Sequence, residues 1–182
     1  AVAAQLVNLL YNIVDRIYIG HIPGIGTDAL AGIGVTSAVI VLISSFSAIV
    51  GAGGSPLAAI ALGRGNRERA GQILGNGFIL LLIFTILTSA TTYLFMEPIL
   101  LFTGASENTI GYATDYLSIY LLGTLFVELS VGLNTFINTQ GRPTIAMYSV
   151  LIGAILNIGL DPLFIFTFGM GVKGAALATI LS

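Results

Sequence analysis

The chain has 182 residues, of which 56 % are hydrophobic and only 8 % charged, with a formal net charge of −2. A water-soluble domain carries roughly 25 % charged residues, so this composition, with a mean hydropathy of +1.02, excludes a water-facing surface for most of the chain and points to lipid as its solvent. No basic run marks a nucleic-acid footprint, the absence of cysteine excludes thiolate chemistry, and a single histidine argues against a histidine-built metal site.

Apolar stretches near the roughly 20 residues needed to cross a bilayer recur along the sequence. They predict an all-α membrane protein with helices at about 1–20, 29–62, 70–95, 109–138 and 143–167, and a sixth from 172. Runs such as FILLLIFTIL do not alternate, as the roughly ten-residue strands of a membrane barrel must. Turn chemistry separates the helices: HIPGIGTD, GRGN, TGAS, QGRP and FGMG. Thr27 or Asp28 is placed to cap the second helix, Ser106 and Thr109 to open the fourth, and Pro143 to occupy the first turn of the fifth. Pro56 marks a bend or the start of a short segment beyond the membrane. The chain starts AVAAQLVNLLYNIVD, without methionine, basic stretch or cleavage site, and stops at ALATILS. Both ends fall inside helices, so the sequence reads as part of a longer protein, truncated in its first and sixth helices.

Orientation follows from the bases. Arg64, Arg67, Arg69 and Arg142 lie in loops on one side, and Lys173 is the one basic lysine or arginine of the alternate loops, beside His21, Asp28, Glu97 and Glu107. Positive-inside counting makes the arginine loops cytoplasmic, and the N-terminus with them.

Function is carried by polar residues inside apolar helices. Asp15 lies about five residues before the end of the first helix and Asp161 about seven before the end of the fifth, which sets both roughly 8–10 Å inside the same membrane face. Carboxylates are costly in hydrocarbon and usually mark ion or substrate pathways. The competing readings are an interfacial Asp15 snorkelling outward with Arg16, and an Asp161 that satisfies backbone groups freed by Pro162. Asn157 is one turn before Asp161 on the same face, and Asn12 stands just short of a turn before Asp15. Each is either a ligand neighbour or interhelical glue. On helix four Asp115 suits the interface, while Glu128 falls near mid-helix, as a second titrating group or as the partner of a residue outside this sequence. Asn134 and Asn138 share a face near the cytoplasmic end. Acids and amides with almost no intramembrane base favour a cation pathway, and carboxylates taken out of water hold protons readily, which makes a proton a natural coupling ion.

The 23 glycines are read mostly as packing devices, GAGGSPLAAIALG above all. GRGNRERAG lacks the Gly-Lys-Ser/Thr ending of a phosphate loop, and no catalytic triad or zinc-ligand pair appears; the chain is read as non-enzymatic, without a cofactor. A weak internal echo relates NIVDRIYIG with its following glycine helix to NIGLDPLFIF with GMGVKGAALATILS.

Six blocks, in order and spacing, resemble the N-terminal lobe of multidrug and toxin extrusion (MATE) transporters, nearest the branch with the DNA-damage-inducible type. They are LYNIVDRIYIG, ALAGIGVTSAV, the small-residue stretch with GRGNRERA, NTFINTQGRPTIAM, NIGLDPLFIF and GMGVKGAALATILS. The resemblance implies a twelve-helix protein of two six-helix bundles in the bacterial inner membrane, with this chain as most of the first. It implies H+- or Na+-coupled export of amphipathic, mostly cationic drugs by alternating access. It also implies a cation site at Asp15, Asn157 and Asp161, with Thr179 as the helix-six threonine and Asn134 as the helix-four member; Na+ is a candidate ligand of the first three. A lipid-linked saccharide flippase of the same superfamily is the alternative, though it needs bases for a pyrophosphate that this sequence lacks. A channel and a structural membrane module are the remaining classes.

Overall fold

The computed structural model describes the backbone of residues 2–182 and the side chains of 6, 7 and 9–182. The described residues form helices and turns: α1 (Val2–Gly20), α2 (Gly26–Gly63), α3 (Arg67–Leu94), α4 (Met96–Phe102), α5 (Ile110–Thr139), α6 (Pro143–Pro162), a π-helical turn Leu163–Thr167, and α7 (Val172–Leu181). The expected first helix over 1–20 is thus found as α1, with Ala1 outside the described residues. Among the described residues, four spans are long and apolar enough to cross a membrane: Gly26–Gly63, Arg67–Leu94, Ile110–Thr139 and Pro143–Thr167. At 1.5 Å per residue α2 is roughly 57 Å long, well beyond a hydrocarbon core of about 30 Å.

Each expected break contains a glycine in the left-handed region: Gly24, Gly65, Gly104, Gly141, and Gly169 with Gly171. At Gly141 (φ 78°) the chain turns between α5 and α6, and Pro143 then opens α6 as expected, where a missing N–H costs nothing. Three boundaries differ from the sequence reading. Helix α2 starts at Gly26, so Thr27 and Asp28 lie in its first turn and no side chain caps it. Helix α3 starts at Arg67 because Asn66 caps it, accepting the Arg69 N–H at 2.9 Å. The segment MEPILLF folds as α4, a short helix absent from the sequence reading, whose Met96 and Leu100 are buried against α5 and α2. Pro56 does not interrupt α2, which continues to Gly63. Ser106 and Thr109 do open α5: the Ser106 N–H donates to Thr109 Oγ1 at 2.9 Å.

Helix α5 is the axis of the bundle. It packs on α2, α3, α6 and α7, while α1 packs chiefly on α6 and α2 chiefly on α5 and α3. The buried face of α5 repeats every fourth residue, through Tyr116, Tyr120, Thr124, Glu128, Gly132 and Phe136. Small residues permit the close crossings. A Cβ at Gly51 would stand 2.7 Å from Thr135 Oγ1, and one at Gly54 2.7 Å from the Phe136 ring, so the small-residue stretch of α2 does serve packing. At Gly174 a Cβ would meet the backbone of Phe164 at 2.7 Å, which is how α7 seats against the π-helical turn. The outer faces carry large apolar side chains, Leu94 and Leu122 each 76 % exposed, as lipid-facing helices do.

Candidate functional site

Packing of α1 on α6 buries Asp15 and Asp161, at 9 % and 0 % exposure, and sets their carboxyl groups against each other. Asn157, also buried, donates from Nδ2 to Asp161 Oδ1 at 3.4 Å, which is the i, i+4 pairing their spacing predicts. Packing of α7 on α5 supplies the other wall. Thr179 donates to the Ala175 carbonyl at 3.0 Å, and its hydroxyl lies beside that of Tyr116 on α5. Tyr116 in turn lies within electrostatic range of Asp15. Four helices therefore converge at one depth, with Asp15, Asp161, Tyr116 and Thr179 each roughly 7–10 Å from the loop-bearing end of its helix.

The cluster is short of donors. Asp15 Oδ1, Asn157 Oδ1 and Asp161 Oδ2 are buried without a hydrogen-bond partner. Two facing carboxyl groups with bare acceptor oxygens call for a proton or a small cation between them, because an unpaired buried charge is strongly disfavoured. Arg16 does not meet that need directly: its guanidinium is on the exposed side of α1 and donates to Ser37 Oγ at 3.4 Å. Asp15 thus turns into the bundle and does not snorkel. After Asp161, Pro162 removes an N–H, and the ladder re-forms with i, i+5 bonds, Phe168 N–H to Leu163 O at 2.9 Å. Such π-turns concentrate at functional sites.

The structure brings Asp15, Asn157, Asp161 and Thr179 together and leaves the other candidates apart. Asn134 lies 18 residues beyond Tyr116 on α5, roughly 27 Å along the axis. Its Nδ2 donates to the Ala146 carbonyl at 3.1 Å and to Ser149 Oγ at 2.9 Å, tying α5 to α6 at the far end; Asn138 donates to Asn134 Oδ1 at 3.1 Å. The α5 residue within the cluster is Tyr116. Sequence reasoning missed it, although Tyr112, Tyr116 and Tyr120 repeat at helical spacing. Asn12 is on the exposed face of α1, its side chain reaching the Tyr11 hydroxyl. Glu128 is fully buried elsewhere on α5 and accepts the Ser44 hydroxyl at 2.6 Å. Asp115 is at the rim as expected, 3.3 Å from Lys173, both about half exposed. That ion pair borders a cavity of about 470 Å³ also lined by Ile22, Tyr112, Ile165 and Val172, one helical turn from Tyr116.

The MatE family model matches residues 1–163. The chain is 34 % identical over 177 residues to an FAD transporter of Shewanella oneidensis, covering 94 % of this chain and 38 % of that protein. It is 29 % identical over 178 residues to the multidrug export protein MepA of Staphylococcus haemolyticus, covering 98 % and 39 %. Among solved structures, an outward-facing multidrug resistance MATE family transporter of the MOP superfamily superposes with a TM-score of 0.89 at 29 % identity, over 98 % of this chain and 39 % of that one. The chain spans about two fifths of the length of these relatives. With the match extending over most of its residues and the helical bundle superposing nearly whole, the chain belongs to the MatE family.

Proposed function

We propose that this chain is the cation-binding bundle of a multidrug efflux antiporter, exporting amphipathic, mostly cationic compounds in exchange for H+ or Na+ by alternating access. The observation that carries the reading is the buried Asp15–Asp161 pair beside Asn157, one acceptor oxygen of each of the three lacking a partner. Asp15, Asn157, Asp161, Tyr116 and Thr179 bind the coupling cation; Asn12, on the exposed face of α1, and Asn134, at the α5–α6 contact, are polar contacts of the substrate path. The exposed apolar faces meet lipid and a second six-helix bundle of the same protein, and the arginine loops and N-terminus face the cytoplasm of a bacterial cell.

Exchange follows from electrostatics. With the pair empty of cation, two negative charges in a poorly solvated site attract a cationic drug; each proton or Na+ entering the pair cancels one of those charges and weakens the hold on the drug. Alternation couples the two events, provided that the cation binds one state better than the other.

Proteoliposomes of the whole protein test this. A proton or sodium gradient should drive accumulation of a cationic dye, and collapsing that gradient should stop it. Transport indifferent to both gradients, or an uncoupled current, would remove the antiporter reading. The FAD transporter among the relatives favours one further substrate for the same assay, FAD itself. A second expectation concerns Tyr116. Its replacement by Phe removes one hydroxyl, worth about 1 kcal/mol, so the coupling-ion concentration at half-maximal transport should rise roughly fivefold with little change in expression.

A further inference from the structure

Glu128 is the largest buried acid that the cation cluster does not use. It is fully buried at mid-helix on α5. Its Oε1 accepts the Ser44 hydroxyl of α2 at 2.6 Å, and its Oε2 is buried with no partner. It is 12 residues from Tyr116, roughly 18 Å along the axis, so it is not part of the Asp15–Asp161 pair. The two places are joined by one face of α5, where Tyr116, Tyr120, Thr124 and Glu128 follow one another at intervals of four, all buried. Tyr120 is within electrostatic range of both Glu128 and Tyr11.

Among the described residues no base faces this acid. Helix α2 carries Asp28 at one end, α3 carries Arg67, Glu68 and Arg69 in its first turn, α4 carries Glu97, α6 carries Asp161 and α7 carries Lys173 in its first turn. None lies at the depth of Glu128. A carboxylate held there by one hydroxyl keeps a bare oxygen in a medium that penalises charge heavily. A metal cation is a poor occupant, since it demands several oxygens and no group of three or more acidic or histidine ligands exists among the described residues.

We propose that Glu128 is a second, mid-membrane proton-binding site of this bundle, reached along the Tyr116–Tyr120–Thr124 face of α5. The step is reversible protonation: one proton from water joins Oε2, Ser44 keeps its bond to Oε1, and no other bond changes. Its use in coupling rests on the antiporter reading above.

Infrared difference spectra of the whole protein in lipid, recorded between acid and alkaline pH, test the site apart from transport. A carboxylic-acid C=O band should disappear at alkaline pH in the wild type, be missing in Glu128→Gln, and persist in the Asp15→Asn/Asp161→Asn double variant. Ser44→Ala, which leaves the acid in place, should shift the frequency of that same band. A Glu128→Gln spectrum identical to the wild type overturns the proposal, as does a Ser44→Ala spectrum with every band unmoved. If the Glu128 band behaves as expected while the Asp15→Asn/Asp161→Asn variant still exports the dye at the wild-type rate, the mid-membrane site stands and the reading of the outer pair as the coupling site fails.

Discussion

Asp161→Asn is expected to reduce gradient-driven export to the background of empty vesicles while the protein inserts and folds normally. The substitution is nearly isosteric. The new amide donates where Asp161 Oδ2 now lacks a partner, and it keeps an acceptor for the Asn157 amide that currently bonds Oδ1 at 3.4 Å. Packing of α1 on α6 is therefore preserved, and the buried face loses a charge without gaining an orphan. What should disappear, on the proposed function, is the proton- or cation-binding capacity of the pair. With one carboxylate left, the site can neutralise a single positive charge at Asp15, and the competition between drug and coupling ion collapses. Export assayed in proteoliposomes beside a tryptic-digestion control separates the two effects. Export retained near the wild-type rate would show that the pair is structural.

Gly174→Leu is expected to destabilise the bundle by about 3 kcal/mol, the upper end of what overpacking costs. The contact that refuses the new side chain is backbone. A Cβ would stand 2.7 Å from the carbonyl carbon and oxygen of Phe164 and 2.9 Å from the Ile165 N, and the π-helical turn cannot retreat without breaking the Phe168–Leu163 bond. Displacing α7 also moves Thr179 away from Tyr116, so ion affinity should fall with stability. Gly53→Ala is the control: a Cβ there meets nothing within 4 Å, and removing a helical glycine stabilises by roughly 0.5–1 kcal/mol. Thermal unfolding midpoints in detergent should therefore move in opposite directions for the two variants. A Gly174→Leu protein as stable as the wild type would mean that α7 seats differently.

The parts of the site that are local in sequence were legible in it. Asn157 and Asp161 are one turn apart on one helix, so helical geometry alone puts them together, and the low charge content made each intramembrane acid conspicuous. The turns were legible for the same reason: a left-handed backbone selects glycine, and the glycines stand at the breaks. Helix α4 was hidden because MEPILLF continues an apolar run, and its separation from α3 depends on the backbone at Phe95 (φ −113°, ψ 28°). Asn134 entered through the family resemblance, although its place near the far end of a 30-residue helix already separates it in depth from Asp15 and Asp161.

The sequence by itself determined the solvent, the long helices and the glycine turns between them, and the acids that a bilayer would not tolerate without a purpose. Tertiary structure alone decided which acids meet. Helix α1 pairs with α6 and α7 with α5, so Asp15 faces Asp161 while Tyr116 joins Thr179, and Glu128 finds Ser44 84 residues away. The physical reason is that burial against lipid is nearly indifferent to which apolar faces adjoin. Partner choice depends on where glycines let backbones approach, and on where buried polar atoms find one another.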